Sequence, residues 1–277
     1  MILLDNTQII LSNIFATMHQ GEEVNSGLLR HLVLNTYRMY KKKFENRYGE
    51  LVICNDSTNY WRKDIFPEYK GNRKKSQKRS NLDWNEIFDG LKQVRDEIVE
   101  NFPYRNIMVP RAEADDVIAT LVRNYYKDGP IMIVSSDKDF QQLQKYPNVE
   151  QYSPTAKRKL TCDNPSAFLT EHIIRGDSSD GIPNILSDND VFLVEDKRQK
   201  PCGKKKMTEI IGNIDEWKET ENWKRNEALI NLDMVPEHIQ TECIDQFNTQ
   251  TVTDKSKILN YFVEHRMQHM LEHLQEF

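Results

Sequence analysis

Ile131-Met132-Ile133-Val134-Ser135-Ser136-Asp137-Lys138-Asp139 is the stretch on which the reading of the fold turns. Four apolar residues stop abruptly at two serines and a pair of aspartates. A short continuous apolar run bounded by turn-forming residues reads as a strand buried on both faces. The same arrangement recurs. Ile2-Leu3-Leu4 ends at Asp5, and Leu51-Val52-Ile53-Cys54 is followed by Asn55-Asp56. The run 106–109 is followed shortly by Glu113-Ala114-Asp115-Asp116. Helical periodicity separates these runs, over 26–47, 82–102, 112–126 and 138–145, with 149–152 a candidate fifth strand. Strands alternating with helices predict an α/β fold, with a mostly parallel central sheet and helices on both faces.

Beyond residue 164 the pattern changes. Helices are predicted at 165–175, 204–212, 215–231, 236–247 and 254–275, and the Gly-, Pro-, Asp- and Lys-rich stretch 177–206 reads mostly as loop. The expected division is a core over 1–165 and a smaller all-helical part over 166–277, a total of 277 residues.

In an open parallel sheet the carboxyl ends of the strands share one edge, where ligands bind. Asp5, Asp56, the 113–116 group and the pair Asp137 and Asp139 would therefore converge there. A fifth group, Gly176-Asp177-Ser178-Ser179-Asp180, opens the helical part and is placed to close the site from the other side. Carboxylates gathered in this way repel one another unless cations neutralise them. A ligand set of carboxylates without histidine or cysteine points to hard ions, Mg²⁺ or Mn²⁺. Two such ions make a site that cuts phosphodiesters. Each group also has a plainer reading: an acid after a strand is often a turn or helix cap, and the 113–116 acids suit the first turn of a helix.

The chain carries 43 acidic and 38 basic residues, a net charge of −5. That balance runs against nucleic-acid binding until the segregation of charge is considered. Lys70, Arg73, Lys74, Lys75, Lys78 and Arg79 lie in one segment; Lys197, Arg198, Lys200, Lys204, Lys205 and Lys206 lie in another. Such runs are either solvated loops or phosphate contacts. Their position beside the acidic groups favours phosphate, with a basic arch at about 61–81. Tyr60, Trp61, Phe66 and Tyr69 near its base are placed to stack on bases, with anchoring of the arch to the core the other reading for Trp61 and Phe66. Hydrophobic residues make up 38% and charged residues 29% of the chain, enough apolar material for a core. No apolar run is long enough to span a membrane, and the amino terminus lacks a basic leader pattern. The four cysteines are scattered, without a zinc or disulfide pattern. A cytoplasmic protein with reduced thiols is expected. His265, His269 and His273, spaced by four, are predicted to share one exposed helix face.

These residues resemble the flap endonuclease and 5′→3′ exonuclease superfamily, and within it the ribonuclease H branch of T-even-type bacteriophages. Glu113-Ala114-Asp115-Asp116 is similar to the family's E-A-D-D motif, and Ser135 to Phe140 to its S-[ST]-D-x-D-[FW] motif. Gly176 to Pro183 is similar to G-D-x-x-D-N-I-P, with Gly181 where asparagine is usual, and Tyr69 to Arg73 to Y-K-x-x-R. The resemblance covers nearly the whole chain and implies a 5′ nuclease (PIN-like) core. It implies that Asp5, Asp56, Glu113, Asp115 and Asp137 hold a first ion and that Asp139, Asp177 and Asp180 serve a second. Asp115 and Asp137 would lie near both, and Asp116 would support a ligand.

The same resemblance implies that Lys70 and Arg73 act with Asp115 in catalysis, stabilising charge on the scissile phosphate. Tyr69 would stack on a base, and Lys74, Lys75, Lys204, Lys205 and Lys206 would contact nucleic acid. A helix–turn–helix gripping duplex backbone would fall within 177–212. The substrates implied are DNA and RNA–DNA hybrid with a 5′ flap or free 5′ end, and the task is removal of RNA primers during phage DNA replication in the host cytoplasm. A monomer is expected, with a single-strand-binding protein and a sliding clamp as candidate partners. The insert from Asn184 to Cys202 departs from the family's glycine-rich turn, so a potassium site is not carried over. Two rival functions use fewer of these residues. An aspartate-nucleophile phosphatase leaves the basic arch and the 113–116 group without a role, and a non-catalytic junction-binding protein leaves the whole acidic set without one.

Overall fold

The computed structural model describes residues 1–18, 25–73, 83–250 and 255–277. Strands β1 (Ile2–Asp5), β2 (Leu51–Cys54), β3 (Arg105–Ile107), β4 (Ile131–Val134), β5 (Val149–Ser153) and β6 (Arg158–Leu160) form one sheet in the order β3-β2-β1-β4-β5-β6. The first five run parallel, and β6 joins β5 antiparallel. Sequence reading gave no sign of β6: Arg158 and Lys159 are exposed at the sheet's edge, so no apolar pattern marks it.

The central strands are apolar at every position but Asp5, the last of β1, because both faces are covered. Ile2 and Leu4 of β1, Leu51 and Ile53 of β2, and Met132 and Val134 of β4 face one core. Leu3, Val52, Cys54, Ile131 and Ile133 face the other, as the two-residue period of a strand requires. Each such side chain contributes roughly 1.5–3 kcal/mol by leaving water. Helices Asn6–Met18, Ser26–Tyr48 and Trp84–Asn101 close the first face, and Ala114–Tyr125 closes the second. The first helix of this set was not anticipated. Asn25 and Asp83 cap two of the others, accepting from Leu28 N at 2.9 Å and from Asn85 N at 3.0 Å.

The chain after residue 165 does not stand apart as a whole. Helix Glu237–Thr249 packs on the face covered by Ala114–Tyr125, through Ile239, Cys243 and Phe247. Ile258, Phe262, Met270 and Phe277 pack into the opposite core. A third core lies between helices Pro165–Arg175, Lys204–Gly212 and Glu221–Ile230, and it takes in Phe66 and Tyr69. The helix expected over 215–231 is two, Ile214–Lys218 and Glu221–Ile230, separated where Thr220 caps the second. The last helix, expected to run to 275, ends at Glu264; Arg266 follows with φ 53°, and Gln268–Leu271 is a separate turn. His265, His269 and His273 therefore do not share one helix face. The helix–turn–helix expected inside 177–212 contains one helix, Lys204–Gly212; the helix before it, Pro165–Arg175, ends short of that stretch. No helix among the described residues is long and apolar enough to cross a membrane.

Glu97 ties three of the helices together. Arg30 donates to it through Nε at 2.7 Å and Nη2 at 2.6 Å, and the Tyr261 hydroxyl donates at 2.7 Å. Burial alone would raise the Glu97 carboxyl, but these donors outweigh it and lower its pKa from 4.5 to about 2. A carboxyl depressed in the folded state stabilises the fold above its unfolded pKa and loses that contribution as pH falls through the folded value. The Glu97→Gln variant is therefore expected to show a shallower loss of stability than the parent between pH 4.5 and 2, measured by urea unfolding. Parallel curves for the two proteins would refute this.

Candidate active site

The carboxyl ends of β1, β2 and β4 lie side by side, because β1 pairs with β2 on one side and β4 on the other. Strand order reverses there, and it is at this edge that the acids collect. Asp5 ends β1 and is 7% exposed; the Ser135 hydroxyl donates to its Oδ2 at 2.7 Å. The same hydroxyl accepts from Asp137 N at 3.0 Å, so one serine fixes the first acid and the turn carrying the fourth. Behind them Asn6 donates to Asn55 at 2.8 Å and Asn55 to Asn106 at 2.6 Å, which pins the ends of β1, β2 and β3 together. Asp56 follows directly and accepts from Ala114 N at 2.9 Å, which joins it to the 113–116 group.

Five of the acids fall into two groups, and Asp5, Asp137 and Asp180 belong to neither. Oxygens of Asp56, Glu113 and Asp115 lie within 4.8 Å of one another, and so do ligand atoms of Asp139, His172 and Asp177. The second group depends on Gly176, which has φ +66°; a Cβ there would lie 2.4 Å from the carbonyl oxygens of Ile182 and Pro183. Gly181, where the motif usually has asparagine, has φ +72° and sits over Lys70 N and the Glu68 carbonyl. A residue that tolerates the left-handed region is needed there, and glycine meets the need without crowding.

Among the described residues four cations hold the acids, Lys138 at 3.0 Å from Asp177 and three others. Arg62 is 1% exposed; its Nε donates to the Leu229 carbonyl at 2.9 Å, and its Nη1 donates to Glu113 at 2.9 Å and Asp116 at 3.0 Å. Lys70 is paired with Glu113 and lies 3.5 Å from Asp180. Arg73 donates to Asp180 at 2.5 Å. Lys70 adopts φ 57°, a left-handed conformation costly to a non-glycine residue, and its backbone N–H is held by the Asp180 carbonyl at 2.8 Å. That bond links the lysine's backbone to the loop bearing the second group.

Charge remains in excess. Burial and the neighbouring charge of Asp56 raise the Asp5 carboxyl to about 7. Burial, then Glu113, pushes Asp115 well above the usual carboxylate range; burial, then Asp137, does the same to Asp139. Glu113 goes the other way: burial would raise it, but Lys70 and Arg62 hold it below the ordinary value. Asp177 is likewise held low, because His172, Ser179 and Lys138 outweigh its burial. Asp139 Oδ1 is buried without a hydrogen-bond partner. A set of oxygen donors, several disfavoured as anions and one buried oxygen unpaired, fits divalent cations.

Residues 1–171 match the family described as 5′-3′ exonuclease, N-terminal resolvase-like domain, and residues 165–277 match T4 RNase H, C terminal. The chain belongs to the 5′-3′ exonuclease family of nucleases. It is similar to Ribonuclease H of Enterobacteria phage T4, 33% identical over 290 residues, which spans 99% of this chain and 95% of that protein. It is also similar to Flap endonuclease Xni of a Shewanella species (strain MR-4), 33% identical over 45% of this chain and 48% of that protein. Among solved structures, the bacteriophage T5 D15 flap endonuclease superposes with a TM-score of 0.65 at 19% identity, covering 89% of this chain and 97% of that one. That likeness shows the 5′ nuclease fold.

Within this family frame, several expected roles meet a different geometry. Tyr69 was expected to stack on a base; it is 2% exposed, and its hydroxyl lies 2.9 Å from Glu113 and 3.1 Å from Asp180, so the ring is committed to the core. The arch was expected to begin at about 61, yet Trp61, Arg62 and Phe66 are buried, and the Trp61 indole donates to Asp116 at 3.0 Å. Lys74 and Lys75 lie outside the described residues. Lys204 and Lys205 are exposed at the start of helix Lys204–Gly212, and Lys206 pairs with Glu209 at 2.6 Å. Asp116 faces Arg62 and Trp61, a support for Glu113. Arg62 and His172 were not anticipated. Neither residue belongs to a motif or a spacing that carries a signal in the sequence.

Proposed function

We propose that the protein removes nucleotides from 5′-ended strands, DNA or RNA paired to DNA, by hydrolysing phosphodiesters at two Mg²⁺ ions, with Mn²⁺ as a substitute. The observation that carries this reading is the pair of ligand groups at the sheet edge, with Lys70 against Glu113 of the first and Arg73 against Asp180. Asp5, Asp56, Glu113, Asp115 and Asp137 would hold the first ion, and Asp139, Asp177 and Asp180 the second. Bound there, the ions would supply an activated water and neutralise charge on the attacked phosphate.

The protein's own residues supply the rest. Lys70 and Arg73 rest on Glu113 and Asp180. An incoming phosphate offers these cations an exchange of partner. The neighbouring carboxylates hold the Lys70 ammonium above its ordinary pKa, so it meets phosphate fully charged. Lys204 and Lys205, with the free backbone N–H groups of a helix start, suit the phosphates of the duplex behind the cut. Removal of RNA primers and adjoining DNA during phage replication follows as the biological task.

The test uses a 5′-labelled flap duplex and a 5′-labelled RNA–DNA hybrid, each incubated with Mg²⁺ and then with excess chelator. Short labelled fragments ending in 3′-hydroxyl are expected, and chelation should stop their release. Cutting that persists in chelator would sink the two-ion reading. Release of inorganic phosphate alone would favour the aspartate-nucleophile phosphatase, and binding without cutting the junction-binding protein.

A further inference from the structure

His172, on helix Pro165–Arg175, is 6% exposed and its ring is wedged between two acids. Nδ1 lies 3.5 Å from Asp139 Oδ1, and Nε2 lies 3.3 Å from Asp177 Oδ2. Neither approach has the alignment of a hydrogen bond; Nε2 and Asp139 Oδ1 are both buried and both without a hydrogen-bond partner. Phe168 packs edge-on to the ring, with centroids 5.7 Å apart, and limits its rotation. Asp177 already has Ser179 at 2.5 Å and Lys138 at 3.0 Å. The two unpaired atoms lie at opposite edges of the ring, Nε2 toward Asp177 and Asp139 Oδ1 toward Nδ1; both are out of water, and a metal ion at this group would give one of them the partner it lacks.

We infer that one ring nitrogen of His172 joins Asp139 and Asp177 as a ligand of the second ion, giving that position a mixed nitrogen–oxygen donor set that favours manganese-class ions over magnesium. The inference rests on the two-ion reading above and deepens it. One ligand atom from each of the three residues lies within 4.8 Å of the others, a spacing a single ion can span. Magnesium takes oxygen donors and keeps its waters, whereas imidazole binds more tightly along the first-row series from manganese onward. The ring nitrogen left off the ion would face the other carboxylate, which fixes the tautomer and strengthens the donor. The group formed by Asp56, Glu113 and Asp115 contains no histidine. The two ion positions therefore differ in preference, the first for an oxygen-loving ion and the second for a softer one.

The full chain and its His172→Gln variant are titrated calorimetrically with Mn²⁺ alone and with Mg²⁺ alone, and the Mn²⁺-loaded proteins are examined by pulsed electron paramagnetic resonance. Two Mn²⁺ are expected to bind the parent. The variant should weaken the second by about tenfold or more, with a much smaller change for Mg²⁺. A nitrogen-14 coupling should be present in the parent and absent from the variant. Should the variant fail to fold, the parent's coupling decides alone. Two bound Mn²⁺ with no nitrogen coupling would overturn the role of His172 and leave the two-ion reading standing. An equal loss for both metals would overturn the preference. No divalent binding at all would overturn both readings together.

Discussion

Asp115→Asn is expected to reduce strand cutting by on the order of 10³-fold or more, about 4 kcal/mol of transition-state stabilisation, while leaving binding of a 5′-flap duplex within a few-fold of the parent. Asp115 stands in the first turn of helix Ala114–Tyr125 and shares a group with Asp56 and Glu113. Its side chain is 29% exposed, against 1% for Glu113, so it is the more accessible of the two to an ion and a phosphate. Asparagine has the same size and keeps the helix start, but it removes the charge. Although the side chain is partly exposed, the protein packed around the Asp115 carboxyl and the charge of Glu113 push it well up despite Arg62 at 3.8 Å, so its ionised form works against the fold when no divalent ion is near. The variant should therefore melt no lower than the parent without divalent ions and gain less when they are added. Wild-type cutting rates with Mg²⁺ would refute the assignment. Loss of cutting together with a lower melting point in chelator would mark a folding defect instead.

Much of this arrangement was legible in the sequence because it follows from local signals. β1, β2 and β4 are short, apolar and doubly buried, and their acids come directly after them; position along the chain and position in the sheet carry the same information. The 113–116 group reads both as an ion-holding pattern and as a helix start; the structure shows the helix start, where Asp116 accepts from Glu113 N at 2.9 Å and meets buried Arg62. What was not legible depends on contacts far apart in the chain. Tyr69 is next to Lys70 and reads as an exposed aromatic, but Glu113, 44 residues later, draws its hydroxyl inward. His172 becomes notable only when a helix from the second half of the chain brings it against Asp139. The broken final helix is a similar case. Its apolar residues keep helical spacing, yet Phe262, Met270 and Phe277 must all reach one core, and the turn at Arg266 lets them.

Arg62 is the residue whose loss should cost the fold most. Arg62→Met keeps the length of the side chain and its apolar stem but strands Glu113 and Asp116, 1% and 0% exposed, without the guanidinium they share. Breaking a buried ion pair from one side costs about 3–5 kcal/mol, because the charge left behind stays out of water. The Leu229 carbonyl also loses its donor, which unfastens helix Glu221–Ile230 from the site. A fall in melting temperature of roughly 10 °C is expected by differential scanning calorimetry. Arg62→Lys should recover little of it, since one ammonium cannot reach the Leu229 carbonyl, Glu113 and Asp116 with the planar fork that Nε, Nη1 and Nη2 provide. Lys70 offers Glu113 a second cation but does not reach Asp116 in this structure, so the deficit falls on Asp116. The double variant Arg62→Met with Asp116→Leu, which removes that uncompensated charge, should regain part of the lost stability. A melting point for Arg62→Met within about 2 °C of the parent would show that the acids at this edge are held by something other than the buried arginine.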